Sequence, residues 1–372
     1  MLKAYLCFIS IICICFVSGC NLITNAKTQK IYDDGVNYFR LSPNQDKLLI
    51  VTKQKEILIY DIATQKICFN TRENDDEFLI TDIDWYNNST FLVARKVNRS
   101  NLRGRFLTED FKTFIMFHEL KEEQKVYFSK KYKKILLQDV NTNKIFVKYE
   151  NGEIWDLDLH FKFTGISWSN DDRYLFLSDG KSNYLLNTDK RIIHELDKDF
   201  SGYWALNKNI YAFTTNLGAY NFKDHGLYIF NPDDLSFTKF NTDGMQTGGR
   251  LIWSPDSKYI ALVNVKGIFI FDTQNPQALG KELFNRTNEE LSEKYADWSV
   301  DSKFILALYG VRTPNPYQPR IYYVTKIDIA TGRVWRIRLK EEPDFKFIWV
   351  DNDTIIYRPA FGEGLYRTDL NW

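Results

Sequence analysis

The segment Leu251–Thr273, LIWSPDSKYIALVNVKGIFIFDT, alternates short apolar runs with polar turns. Leu251–Trp253, Tyr259–Val263 and Ile268–Phe271 read as strands, separated by Ser254-Pro255-Asp256-Ser257 and Lys266-Gly267 and closed by Asp272-Thr273. A meander this small cannot bury both of its faces alone, so it needs neighbours built the same way. The same order recurs at FRLSPNQDKLLIV from Phe39, IDWYNNSTFLVA from Ile83, VYFSKKYKKILLQ from Val126 and ISWSNDDRYLFLS from Ile166. It continues at YWALNKNIYAFTT from Tyr203, ADWSVDSKFILAL from Ala296 and FIWVDNDTIIYRP from Phe347. With Leu41, Trp85, Phe128, Trp168, Trp204, Trp253, Trp298 and Trp349 as equivalent anchors, the spacings are 44, 43, 40, 36, 49, 45 and 51 residues. Repeats of this length predict an all-β chain, a β-propeller of four-stranded antiparallel blades. Eight blades is the expected number, and seven with one irregular insertion is the alternative.

Several third strands end in small and acidic turns, at Tyr60–Gln65, Tyr149–Glu153, Leu186–Asp189 and Ile327–Gly332, which suit tight connections into a fourth strand such as Ile192–Leu196 or Val334–Leu339. After Trp349 only Thr354–Arg358 and Gly364–Leu370 remain as strands, so the last blade lacks its fourth. Thr28–Tyr32 can supply it, closing the ring by pairing the two ends of the chain and removing an open edge.

Trp253-Ser254-Pro255-Asp256-Ser257-Lys258-Tyr259-Ile260-Ala261 resembles the WSPDGKxIA core of the WD-repeat-like propeller modules of bacterial Tol-system proteins and of prolyl-oligopeptidase relatives. Leu41-Ser42-Pro43-Asn44 and Trp298-Ser299-Val300-Asp301 match in part. Ser257 stands where the pattern has Gly, and most repeats lack the Ser-Pro pair. The resemblance implies the fold; prolyl-oligopeptidase chemistry needs a separate hydrolase domain, for which no GxSxG elbow is present.

At the N-terminus, Met1-Leu2-Lys3 precedes an apolar run from Ala4 to Val17 and then Ser18-Gly19-Cys20, the order of a secretory signal too short for an ordinary spanning helix. Val17-Ser18-Gly19-Cys20 resembles the lipobox of bacterial lipoproteins, which implies cleavage before Cys20 and a diacylglycerol on its thiol. The expected organisation is a signal peptide at 1–19, a lipidated Cys20 with a tether at 20–30, and one propeller at 31–372. Asn21, rather than Asp, after the Cys implies outer-membrane sorting in a Gram-negative cell, facing the periplasm. Cys7, Cys13 and Cys15 lie in the leader, so Cys68 is expected to be a lone buried thiol and no disulfide framework exists.

Basic and acidic residues number 49 and 48, and loss of a leader carrying Lys3 leaves the mature chain neutral, which excludes a dominant nucleic-acid surface. The a–b turns are short and polar, whereas the b–c connections 98–105, 216–226 and 310–320 and the d–a connections 71–77, 241–250 and 285–294 are long. Elaboration on one face marks it as the candidate binding face. On it, Arg95, Lys96, Arg99, Arg103 and Arg105 with Arg312, Tyr317 and Arg320 form a candidate basic-aromatic patch for an acidic protein segment, a glycan or lipid headgroups. His118, His160, His194 and His225 are scattered, Glu73, Asp75, Asp76 and Glu77 lack calcium-loop spacing, and neither a P-loop nor a dinucleotide fingerprint occurs, so no catalytic residue, metal or cofactor is assigned. Asp84 and Asp297 precede anchor tryptophans and are the candidate channel carboxylates; hydrogen bonding to neighbouring strands is their structural alternative. The expected function is a membrane-anchored platform for an envelope protein or polymer. An enzyme at the channel mouth, such as a lyase, lactonase or glycoside hydrolase, and an accessory scaffold of outer-membrane assembly are the alternatives.

Overall fold

The computed structural model describes residues 23–370 apart from 26, 43, 55, 72–77, 86–89, 98–100, 109–113, 121–123, 132, 197–201, 216–225, 265, 286–289, 312–320, 340–342 and 360–361. The 251–273 meander is present as Arg250–Trp253, Tyr259–Val263 and Gly267–Asp272, joined by Lys281–Asn285 into an antiparallel sheet in chain order. Its inner strands are buried on both faces, with Ile260, Ala261, Leu262 and Val263 all at 0 % exposure, which explains their continuous apolar run. Among the described residues there are eight sheets, seven of four strands and one of five, and no α-helix. Apolar clusters span neighbouring sheets: Ile252, Ala261 and Ile270 pack with Trp298, Ile305 and Ile327 of the next. Each fully buried Leu or Ile contributes about 1.5–3 kcal/mol relative to an exposed position.

The first strands of successive sheets, Gly165–Trp168, Gly202–Trp204, Arg250–Trp253, Glu290–Trp298 and Pro343–Trp349, lie side by side along an inner edge. The anchor tryptophans stitch that edge. Trp204 Nε1 donates to the Ser167 carbonyl at 3.2 Å, Trp253 Nε1 to Tyr203 at 2.8 Å and Trp298 Nε1 to Ile252 at 3.0 Å. Trp85 Nε1 does the same to Arg40 at 3.2 Å, so each acceptor is the residue just before the preceding sheet's anchor. Packing explains an aromatic here and the indole donor explains Trp at these four anchors, whereas Trp168 and Trp349, whose Nε1 atoms are buried without a hydrogen-bond partner among the described residues, are held by packing alone.

The a–b turns share one device. Ser254 Oγ accepts from Tyr259 N at 2.9 Å and donates to Asp256 Oδ1 at 2.7 Å, while Ser257 N donates to the Ser254 carbonyl at 2.8 Å. Ser169 with Asp171 and Ser299 with Asp301 repeat it. Burial pushes the Asp171, Asp256 and Asp301 carboxyls up, but the serine hydroxyls and turn N–H groups outweigh it and hold all three below the usual carboxylate range. A folded pKa below the unfolded value means stability that is complete above pH ~4 and is lost as pH falls through the folded pKa. The urea midpoint should therefore drop between pH 5 and pH 2.5, and Asp301→Asn should flatten that limb; an unchanged limb would refute the assignment.

The position occupied by Gly in the resembled pattern is left-handed here: φ is 57° at Ser257, 61° at Ser302 and 66° at Asp172. Each side chain reaches the preceding sheet's turn. Ser257 Oγ accepts from Asn207 N at 3.0 Å, Ser302 Oγ from Asp256 N at 3.1 Å and Asp172 Oδ1 from Lys131 N at 2.8 Å. Strained backbone at these residues is thus coupled to an inter-sheet hydrogen bond that glycine could not make.

Lys27–Tyr32 pairs antiparallel with Leu365–Asp369 and completes the sheet of Thr354–Pro359 and Pro343–Trp349. Gly364, at φ 102°, allows the close approach, since a Cβ there would sit 2.2 Å from the Tyr32 carbonyl oxygen. This last sheet also packs on the first: Arg358 Nη1 donates to the Val36 carbonyl at 2.6 Å, and Ile356 and Leu365 share a cluster with Phe39, Leu48 and Tyr60.

Three expectations are corrected. The expected tether at 20–30 contains strand, because Ile23–Asn25 lies parallel to Val334–Arg338 and Lys27–Tyr32 pairs with Leu365–Asp369. The long connections at 98–105 and 285–294 are shorter, because Asn101–Thr108 and Glu290–Trp298 extend the ladders on either side. Cys68 is exposed, since it sits on the outermost strand Lys66–Thr71, its Sγ donating to the Ile59 carbonyl at 3.4 Å.

Candidate functional site

The basic residues expected on one loop lie on two paired strands. Arg95 and Lys96 belong to Thr90–Val97 and Arg103 and Arg105 to Asn101–Thr108, with Arg95 opposite Arg103 and Val93 opposite Arg105. Arg103 faces Glu119 of Phe114–Leu120 on its other side, so one row across the sheet reads Arg95, Arg103, Glu119. Arg99, Arg312, Tyr317, Arg320 and Cys20 lie outside the described residues.

On the face from which the b–c and d–a connections leave, a hollow of about 510 Å³ opens beside the inner edge. It lies between Gly165–Trp168 and Gly202–Trp204, and the end of Tyr174–Ser178 forms its floor. Ser167, Ser178, Asn183 and Tyr203 give it hydroxyl, amide and ring surface, and none of its lining residues carries a charged side chain. Tyr203 is 50 % exposed although it stands in a first strand. The two bordering strands are fixed by the Trp204 and Trp253 indole bonds and by Gly202 N donating to Tyr211 Oη at 2.6 Å; burial pushes the Tyr211 phenol up, so that oxygen remains a neutral acceptor. A second hollow, of about 600 Å³, lies under the connection 239–247 beside Gln277 of the next sheet. Lys239 and Asp243 line that second hollow, whereas the neutral, polar-aromatic lining at Tyr203 suits binding of a peptide or glycan edge and offers no acid–base pair.

Sequence reasoning treated every a–b turn as polar and so missed an apolar arc on the opposite face. Leu206 and Val300 are 51 % and 44 % exposed, and with Pro255 they occupy the second position after the anchors of three successive sheets. That spacing was the available signal.

Asp297 is open to water yet enclosed by protein along the inner edge, and its Oδ1 accepts from Trp298 N at 2.9 Å. Burial raises its pKa; that hydrogen bond and the charge of Arg250 oppose the rise without cancelling it. A raised carboxyl pKa costs the folded state once both states ionise, and nothing below pH ~3. Asp297→Asn should therefore raise the urea midpoint at pH 7 and leave it unchanged at pH 3; a midpoint lowered at pH 7 would mean that the ionised carboxylate is stabilising. Among the described residues no group of three His, Cys, Asp or Glu is placed to hold a metal ion.

No family model matches the chain and no curated protein matches it. Solved structures do. The C-terminal WD40 domain of Sif2 has a TM-score of 0.60 at 11 % identity, covering 94 % of this chain and 100 % of that one. The WD40 domain of SCAP from fission yeast has 0.52 at 7 % identity, covering 92 % and 97 %. The Cps50 (Swd1) β-propeller domain of Myceliophteria thermophila has 0.50 at 12 % identity, covering 93 % and 100 %. Identities this low carry the architecture alone, and the architecture they carry is that of a WD40-type β-propeller.

Proposed function

We propose that the chain is a bacterial envelope lipoprotein whose eight-bladed propeller acts as a protein-binding platform through its b–c and d–a face. The observation that carries the reading is the rigid, uncharged hollow around Tyr203, a shaped recognition surface without catalytic groups. Eight sheets, the pairing of Lys27–Tyr32 with Leu365–Asp369, and the contacts of the last sheet with the first support a ring of eight blades closed by the N-terminal strand. The lipobox-like Val17-Ser18-Gly19-Cys20 supports a diacyl anchor at Cys20, an envelope location, and an outer-membrane address facing the periplasm in a Gram-negative cell. Two acyl chains hold more firmly than one because the apolar area in the bilayer is doubled.

The test is cross-linking in intact cells followed by identification of captured proteins, comparing the native chain with Tyr203→Ala and with the combined Arg99, Arg103, Arg105, Arg312 and Tyr317→Ala variant. A partner held by the native chain and lost from folded Tyr203→Ala supports the platform and its face. The same capture by all three forms refutes the face. One observation favours an enzyme instead: the raised pKa of Asp297 at the inner edge suits a proton donor. Turnover of envelope glycans or lactones that vanishes with Asp297→Asn would establish it.

A further inference from the structure

The register of Ile23–Asn25 fixes where a lipid on Cys20 would have to enter the bilayer. Ile23 pairs with Arg336 in parallel, so the chain before Ile23 leaves at the end where Val334–Arg338 begins, beside the turn from Asp328 to Arg333. Three residue steps separate Cys20 from Ile23, a reach of about 10 Å even fully extended. A lipid anchor on so short a lead cannot let the propeller swing free. It must bring a particular corner to the headgroups.

That corner has the surface chemistry of a headgroup contact. Lys281 Nζ donates to the carbonyls of Ile329 and Ala330 at 2.8 and 2.9 Å, joining the turn before Lys281–Asn285 to the turn before Val334–Arg338. Across the joined turns stand Leu279, 56 % exposed, the exposed side chains of Lys281 and Arg333, and the half-buried Trp335. The Arg333 guanidinium lies 4.9 Å from the centre of the Trp335 ring. From Ile329 to Leu339 the sequence carries three arginines and no acid; the acidic neighbours are Asp328, which opens the turn close enough to feel the charge of Lys281, and Glu282 on the outer strand of the preceding sheet. Basic heads suit lipid phosphates, Leu279 suits the acyl boundary, and Trp suits the zone between.

We propose that this corner, formed by the outer turns before Lys281 and Val334, lies on the surface of an anionic bilayer. The inference rests on lipidation of Cys20 and adds to it an orientation: the propeller stands on its outer rim at these two sheets, which leaves both loop faces accessible to partners.

The test is amide exchange of the full chain purified from membranes and returned to vesicles of equimolar phosphatidylglycerol and phosphatidylethanolamine, with phosphatidylcholine vesicles in parallel and mass spectrometry of the Cys20 peptide. The expected result is exchange at least about three-fold slower over 274–281 and 329–338 than in the Cys20→Ser chain in solution. The slowing should be larger on the anionic vesicles, with no change over the turn 149–154. Arg333→Glu, which keeps the Lys281 bonds to the Ile329 and Ala330 carbonyls, should reduce the slowing at least about two-fold, measured against the same variant in solution, while the chain still floats with the vesicles. A lipid-bearing chain that shows no slowing at the corner, or shows it at 149–154 instead, overturns the orientation alone. A Cys20 peptide without lipid overturns the anchor, and the orientation with it.

Discussion

Oxidised Thr28→Cys/Thr368→Cys protein, made in a Cys68→Ser background, should unfold at a markedly higher urea concentration than its reduced form. Thr28 and Thr368 are cross-strand partners at the junction of the two chain ends, and their hydroxyl oxygens stand 2.9 Å apart. Cysteines there need little movement to reach bonding distance. The bond would close a loop across a sequence separation of 340 residues, and loop-closure entropy for so long a loop amounts to about 6 kcal/mol in the chain-entropy model. Non-reducing electrophoresis reports whether the bond forms, and urea unfolding with and without reductant reports its effect. Failure of the two thiols to couple under mild oxidant would refute the pairing of Lys27–Tyr32 with the last sheet. A bond that forms without raising the midpoint would show that the N-terminal strand docks there but does not hold the fold together.

The repeat was legible because one period governs burial throughout. Ile192–Leu196 is the strand the sequence predicts, and Tyr259–Val263 likewise, since each is entered from a turn whose side chains hold the backbone locally. Connections were less legible. Arg103 and Arg105 read as loop because charge and Gly104 interrupt the apolar pattern, yet pairing with Thr90–Val97 carries the strand through them. Propensity lost to cross-strand pairing there, as it does wherever the partner strand is already fixed. The hollow at Tyr203 was not legible at all. Its lining comes from residues up to 47 positions apart in the chain, from Thr164 to Tyr211, and nothing in the local pattern of GISW or GYW says that these strands leave a gap. Asp297 was found from its place before an anchor, and the structure gives that place its meaning by enclosing the carboxyl without closing it to water.

The departure from Gly after the a–b turn is where sequence and structure inform each other most, and it yields the sharpest stability test. Asp172→Gly restores the residue of the resembled pattern and suits a backbone at φ 66°, so a purely local argument expects a gain. The inter-sheet geometry argues the reverse. Asp172 is 1 % exposed, and its carboxylate accepts from Ser129 Oγ at 2.6 Å, from Lys131 N at 2.8 Å and, more weakly, from Lys133 N at 3.4 Å. Removing it leaves a buried hydroxyl and a backbone N–H of the preceding sheet without their acceptor, a loss of about 2–4 kcal/mol against a relief of backbone strain of about 1–2 kcal/mol. Ser257→Gly and Ser302→Gly each lose a single neutral hydrogen bond and should cost about 1 kcal/mol or less. The urea midpoints should therefore fall in the order native, either serine variant, Asp172→Gly. If Asp172→Gly matches or exceeds the native midpoint, the turns are only turns; if it falls furthest, the position that looked like a lapse in the repeat is what ties each sheet to the one before it.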